Sequence, residues 1–108
     1  MKEVNTLADL GLETELTKDV TVIFKKNNCG LCQMLLIRLE TMEKDGEIET
    51  PIVIHNIEND DMDTAIQLHD LSTMPTVLRY KDGKEIDREI FQNLTPDRFE
   101  ELDLGEKE

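Results

Sequence analysis

Two cysteines separated by two residues, Cys29-Gly30-Leu31-Cys32, stand between a short apolar run and a helical pattern. No other stretch constrains the chain as much. Thr21-Val22-Ile23-Phe24 before them reads as a strand, and the apolar periodicity from about Leu31 to Lys44 reads as a helix. A strand that feeds a helix in this way places both thiols at the helix mouth. The helix's free backbone N–H groups then point at the first sulfur. At i,i+3 spacing on a helix the two Cα atoms can come within the ~4.4–6.8 Å that a disulfide requires. A bond there closes only a tiny loop and restricts little of the unfolded chain, so it stabilises the fold weakly. Its use lies in being made and broken.

The rest of the chain falls into alternating elements. Residues 2–5 form a small strand, and residues 6–17 a short helix carrying Leu7, Leu10, Leu12 and Leu16, with Thr6 as its N-cap and Gly11 weakening it. Val20 to Phe24 has four apolar residues in five, the mark of a strand covered on both faces. In the helix from 31 to 44, Leu31, Leu35, Leu39 and Met42 share one face, with Leu36 beside them and Arg38, Glu40 and Glu43 elsewhere. Asp45-Gly46 ends it. Pro51-Ile52-Val53-Ile54 reads as a second buried strand, with proline tolerated at its start. Asn59 or Asp60 caps a helix from about 61 to 70, whose stripe is Met62, Ala65, Ile66 and Leu68 to His69. Thr76 to Tyr80 and Glu85 to Phe91 then alternate as strands around Asp82-Gly83, a hairpin signal. Thr95-Pro96 opens a last helix, Thr95 as cap and Pro96 at its first position, with Phe99 and Leu102 as apolar contacts. Residues 104–108 read as a frayed tail. Parallel units followed by an antiparallel pair predict an α/β fold: a mixed central sheet of four or five strands flanked by helices. At 108 residues this is one domain, 1–108, with a core over about 20–103.

Charge excludes some partners. With 25 acidic residues against 12 basic ones, the net charge of −13 repels nucleic acid and anionic membrane. No stretch reaches the ~20 apolar residues of a membrane span. Met1-Lys2-Glu3-Val4-Asn5 lacks the apolar core of a secretory signal. Two cysteines without an export signal point to the reducing cytoplasm, where such a pair is more often catalytic or metal-binding than structural.

The chemistry follows from the thiolate, the only form that attacks a disulfide. A helix terminus contributes ~0.3–1 kcal/mol, which favours the Cys29 thiolate by less than tenfold. Lys25 and Lys26 add to this while the overall acidity opposes it. Cys29 is therefore a moderately activated nucleophile, and Cys32, one turn inside and more buried, resolves the mixed disulfide. Other uses of the pair stand beside this one. The cysteines can be inert small hydrophobes. A zinc site needs two further ligands, and the only histidines, His55 and His69, have thirteen residues between them where finger spacing is three to five. Each histidine is thus expected at the surface or its boundary, and the five methionines in the core. A second feature is Thr73-Met74-Pro75-Thr76, just before a strand. Proline there can simply tolerate its missing N–H. The alternative is a cis Met74–Pro75 bond that leaves Met74's backbone to pair with an extended substrate segment over Cys29.

With both features in hand, the chain resembles the thioredoxin family over about residues 20–103. The order is strand, Cys29-Gly30-Leu31-Cys32, long helix, Ile-Val-Ile strand, helix, Met74-Pro75-Thr76, a hairpin at Asp82-Gly83 and a terminal helix. The resemblance implies a thiol–disulfide oxidoreductase of thioredoxin fold that reduces protein disulfides. Cys29 attacks, Cys32 resolves, and Gly30, Leu31, Met74 and cis Pro75 line the substrate groove. No cofactor or metal is bound; the redox centre is the Cys29–Cys32 disulfide. Its electrons come from a thioredoxin-reductase-like flavin enzyme using NADPH, and its recipients include enzymes such as ribonucleotide reductase. A monomer is expected.

The chain departs from the family pattern at four places. Asn28 replaces the usual Trp, Leu31 the usual Pro inside the motif, Ile23 the buried acid of the strand, and Phe91-Gln92-Asn93 follow the last strand where a groove Gly usually stands. Glu58 or a water would have to replace the lost acid as proton acceptor for Cys32. Two alternatives remain. A glutaredoxin-like redoxin usually carries a Gly-Gly-Asp-type turn and basic residues for glutathione, which this chain lacks. A non-catalytic protein-binding module of the same fold would treat the cysteines as incidental.

Overall fold

The computed structural model describes residues 1–16, 18–46, 48, 50–59 and 62–102. Its centre is the apolar run already singled out. Strand β2 (Asp19–Lys25) is buried from Val20 to Phe24 because it has a neighbour on each edge and helices on each face. β3 (Ile52–Asn56) pairs with it in parallel and β4 (Thr76–Lys81) antiparallel. The short β1 (Lys2–Val4) adds in parallel to β3, and β5 (Lys84–Ile90) closes a hairpin with β4. The sheet is mixed and five-stranded, in the order β1-β3-β2-β4-β5.

Alternation along β2 divides the core in two. Val20, Val22 and Phe24 join Val4, Leu10, Val53, Ile57, Ala65, Leu71 and Leu78 on one face. That face is covered by α1 (Leu7–Leu16) and α3 (Met62–His69). Ile23, Ile52, Ile54 and Val77 face the other way. They pack against Leu35, Leu39 and Met42 of α2 (Gly30–Lys44) and Leu102 beyond α4 (Pro96–Glu101). Thr21 shares this second face, and its hydroxyl donates to the Leu102 carbonyl at 3.3 Å. Fully burying Leu35 and Leu39 is worth about 1.5–3 kcal/mol each.

Helix ends follow their residues. The Thr6 hydroxyl accepts the Asp9 N–H at 3.0 Å, and the Thr95 hydroxyl accepts that of Arg98 at 3.2 Å. Gly46 takes a left-handed φ of 72° past the end of α2. Ionic contacts tie down the hairpin. Arg98 binds Asp87, Glu89 and Glu101, which holds α4 against β5. Arg88 donates to the carbonyls of His69 and Asp70, both at 2.9 Å, at the C-terminal end of α3.

Several sequence expectations need correction. His55 is fully buried rather than at the surface, because β3 runs on past Ile54 as an inner strand between β1 and β2. Its ring centroid lies 5.5 Å from that of Phe24. His69 is half-buried, 4.8 Å from the Phe24 ring on the same measure, so its boundary assignment holds. Leu31 is exposed, because the buried stripe of α2 is Cys32, Leu35, Leu39 and Met42. In α3 only Ala65 is buried and Ile66 partly so, while Met62 and Leu68 are exposed. Met34 and Met62 are likewise exposed, and of the methionines Met42 alone is buried among the described residues. The side chains of Asn59 and Phe99 are outside what the structure describes, as are Asp60 and the tail over 104–108, and with them the expected cap and the Phe99 contact.

Candidate active site

The site is built where β2 ends and α2 begins. After Lys25 the chain turns through Lys26-Asn27-Asn28, and Asn28 adopts a left-handed φ of 53°. Asn tolerates that conformation better than most residues because its short amide can bond locally. The turn delivers Cys29 in an extended conformation (φ −117°, ψ 104°) as the N-cap of α2. Its Sγ accepts the backbone N–H of Cys32 at 3.2 Å, so the sulfur occupies the place an N-cap oxygen would take.

Cys29 and Cys32 are bonded to one another, with their Cα atoms 5.2 Å apart. Both are buried, Cys29 to 8% exposure and Cys32 to 2%. The difference follows from position: Cys29 is at the cap, while Cys32 lies on the inward stripe of α2. Gly30 and Leu31 bridge them on the outer side. A side chain at Gly30 would meet nothing within 4 Å, and Leu31 is 37% exposed, so this rim faces open space.

Met74 and Pro75, far along the chain, come to the same place. The Met74–Pro75 bond is cis, and the Met74 carbonyl oxygen lies 3.8 Å from Cys29 Sγ. The Pro75 carbonyl accepts the Phe91 N–H at 3.3 Å, which ties the segment after β5 to this turn. The six residues expected at the site, Cys29, Gly30, Leu31, Cys32, Met74 and Pro75, are therefore brought together. A cleft of about 250 Å³ opens beside the disulfide on the Lys25–Asn28 side and reaches Cys32 and Gln33.

Cys32 stands between the polar cleft of Lys25–Asn28 and the apolar cluster under α2. Ile23 stands opposite Ile54 across β2 and β3, both buried in the cluster under α2. Glu58, which the sequence offered beside water as a replacement for the lost acid, accepts the Asn27 N–H at 3.2 Å through Oε2. The sequence reading missed the side chains that fix the turn: Asn27, Asn56 and Glu58 are linked by hydrogen bonds. Paired asparagines ahead of Cys29 and a polar Asn56 closing an apolar strand were the available signals. Among the described residues, no three His, Cys, Asp or Glu side chains are grouped to hold a metal ion. Nor is any described helix long and apolar enough to cross a membrane.

Known proteins share this arrangement. The family model for thioredoxin matches residues 3–100. The Chlamydia caviae thioredoxin is 34% identical over 71 residues, covering 66% of this chain and 67% of that protein. Thioredoxin-2 of Saccharomyces cerevisiae is 32% identical over 76 residues, with 70% of each covered. Among solved structures, Plasmodium falciparum thioredoxin superposes with a TM-score of 0.77 at 19% identity, over 95% of this chain and 96% of that one. At that identity the likeness concerns the fold. The expected fold and family are thus both met, and with a cysteine pair at bonding distance the chain belongs to the thioredoxin family as a thiol–disulfide oxidoreductase that reduces protein disulfides.

Proposed function

We propose that Cys29 is the attacking residue and Cys32 the resolving one. In the reduced protein the Cys29 thiolate attacks one sulfur of a substrate disulfide. A mixed disulfide forms, and the other substrate sulfur leaves as a thiolate that takes a proton from solvent. The Cys32 thiolate then attacks Cys29 Sγ and expels the second substrate thiolate. The substrate has gained two electrons, and the protein is left with the Cys29–Cys32 disulfide. The observation that carries this assignment is the Cys32 N–H held 3.2 Å from Cys29 Sγ. A donor so placed favours the thiolate over the thiol, adding to the helix terminus. The cleft beside the pair, which Cys32 itself lines, supports water as the acceptor of the Cys32 proton.

Gly30, Leu31, Met74 and Pro75 form the substrate surface in this reading. An extended segment carrying the target disulfide lies along Met74, whose carbonyl is already beside Cys29. A flavin enzyme using NADPH returns the electrons, ribonucleotide reductase is one recipient, and the unit 1–108 acts as a cytoplasmic monomer. The test is reduction of insulin by dithiothreitol. The wild-type protein is expected to accelerate it, and Cys29→Ser to fall to the uncatalysed rate. Equal rates for the two proteins would overturn the assignment.

A further inference from the structure

We infer that Asn27, Asn56 and Glu58 form a positioning unit for Cys29, in which Glu58 serves as a hydrogen-bond acceptor and not as a proton carrier. The inference rests on Cys29 being the attacking residue. Three hydrogen bonds close a ring. The Asn27 N–H donates to Glu58 Oε2 at 3.2 Å, the Glu58 N–H donates to Asn56 Oδ1 at 3.1 Å, and Asn56 Nδ2 donates to Asn27 Oδ1 at 2.9 Å. Each member is used at two points, so none can shift without breaking a second contact.

The ring joins a rigid part of the molecule to an irregular one. Asn56 is 3% exposed and ends β3, where it pairs in register with Lys25 of β2. Asn27 and Asn28 are exposed, and Asn28 holds the positive φ noted above. An exposed turn with one left-handed residue has few contacts of its own to fix it. Here Asn27 is held both at its backbone N–H and at its side chain by groups anchored to the sheet. Two residues later stands Cys29, whose sulfur must meet the Cys32 N–H. That contact is directional, so a loosened turn weakens it. The consequence is a less stabilised thiolate and a less well aimed nucleophile.

The acceptor role separates cleanly from the two other things a carboxylate near a cysteine can do. Glutamine keeps an acceptor oxygen on a side chain of the same length but carries no charge and takes no proton. Alanine removes both. The experiment measures insulin reduction, together with the pH profile of alkylation of reduced Cys29 by iodoacetamide, for wild type, Glu58→Ala, Glu58→Gln and Asn27→Ala. Glu58 and Asn27 are exposed, so these variants spare the core, and circular dichroism checks that they fold.

Glu58→Ala and Asn27→Ala are expected to lose about 5- to 10-fold in kcat/KM, on the scale of one hydrogen bond, with the alkylation profile moved to higher pH. Glu58→Gln is expected to restore both to wild type. If Glu58→Gln falls as far as Glu58→Ala, the carboxylate works by its charge or its proton and the inference fails. It fails equally if both alanine variants match wild type. Activity surviving in Cys29→Ser would instead remove the nucleophile assignment beneath it, a result none of the ring variants can produce.

Discussion

Cys29 Sγ lies 3.8 Å from the carbonyl oxygen of Met74, a residue 45 positions further along the chain. The contact joins the mouth of α2 to the turn that begins β4, and it stands on pairing between β2 and β4. Phe24 is opposite Thr76 and Ile23 opposite Val77, so the ends of these strands bring Cys29 and Pro75 to one edge. A thiolate at this position has the Cys32 N–H on one side and the Met74 backbone on the other.

That geometry predicts a trappable intermediate. Cys32→Ser leaves the attacking sulfur with no partner to resolve it. Reduced Cys32→Ser incubated with insulin is expected to accumulate a mixed disulfide at Cys29, visible as a mass increase reversed by dithiothreitol. Cys29→Ser should form none under the same conditions. Trapping by Cys29→Ser and not by Cys32→Ser would reverse the roles of the two sulfurs, and equal trapping by both would show that neither role is exclusive.

The apolar layer beneath Cys32 makes a second prediction. Ile23→Asp puts a carboxylate opposite Ile54 inside the cluster under α2. An uncompensated charge of this kind costs about 3–5 kcal/mol at neutral pH. Burial raises the folded-state pKa of the new acid above its unfolded value near ~3.9. The charge part of the penalty should therefore vanish below that pH, leaving the loss of the buried Ile23 side chain, and should grow as pH rises toward the folded value. Urea unfolding at pH 4 and pH 7 measures the difference between them. A penalty independent of pH would show that the carboxylate reaches a partner or solvent.

His69 supplies a pH dependence of opposite sign. Burial, and then the nearby His55, hold its pKa below the ordinary 6.5; Arg88 acts in the same direction and Glu85 against it. The unfolded chain takes up this proton first as pH falls through 6.5, so stability declines from there down to the lower folded value. Above 6.5 the contribution is complete. Replacing His69 with Gln should flatten the urea midpoint between pH 7 and about pH 5 relative to wild type. Asp87, held low chiefly by its hydrogen bond to Arg98, acts only in the more acid range below 3.8, so the two effects separate. Parallel profiles for the two proteins would mean that His69 titrates alike in both states.

The hairpin carries the last prediction. Asp82 and Gly83 connect β4 to β5 in two residues with φ of 54° and 78°, the paired positive values a type I′ turn requires. Gly83→Ala places a Cβ in the left-handed region, at a cost of about 1–2 kcal/mol. Its new atom would lie 4.0 Å from the Thr14 carbonyl oxygen, an ordinary contact, so backbone strain alone sets the loss. The site is remote from the cysteines, and insulin reduction by the folded fraction should be unchanged.

Much of this molecule is written in local sequence. The apolar run at Val20–Phe24, the amphipathic repeat after Cys29, the caps at Thr6 and Thr95, and Asp82-Gly83 each act within a few residues. Their physics is backbone geometry and side-chain periodicity, and the structure places each of these elements where the sequence puts it, with Leu31 alone leaving the buried stripe of the helix. The cysteine pair is local too, since its spacing and its helix bring the sulfurs into reach. What only the tertiary structure decided involves groups that meet across the sheet. His55 is buried because β1 covers the outer edge of β3, and Leu31 is exposed because the inward stripe of α2 begins at Cys32. The ring of Asn27, Asn56 and Glu58 joins residues about thirty positions apart, and Met74 reaches Cys29 only through strand pairing. Hydrogen-bond partners of polar side chains are chosen by where the packed apolar layers leave them. No periodicity in the chain records that choice.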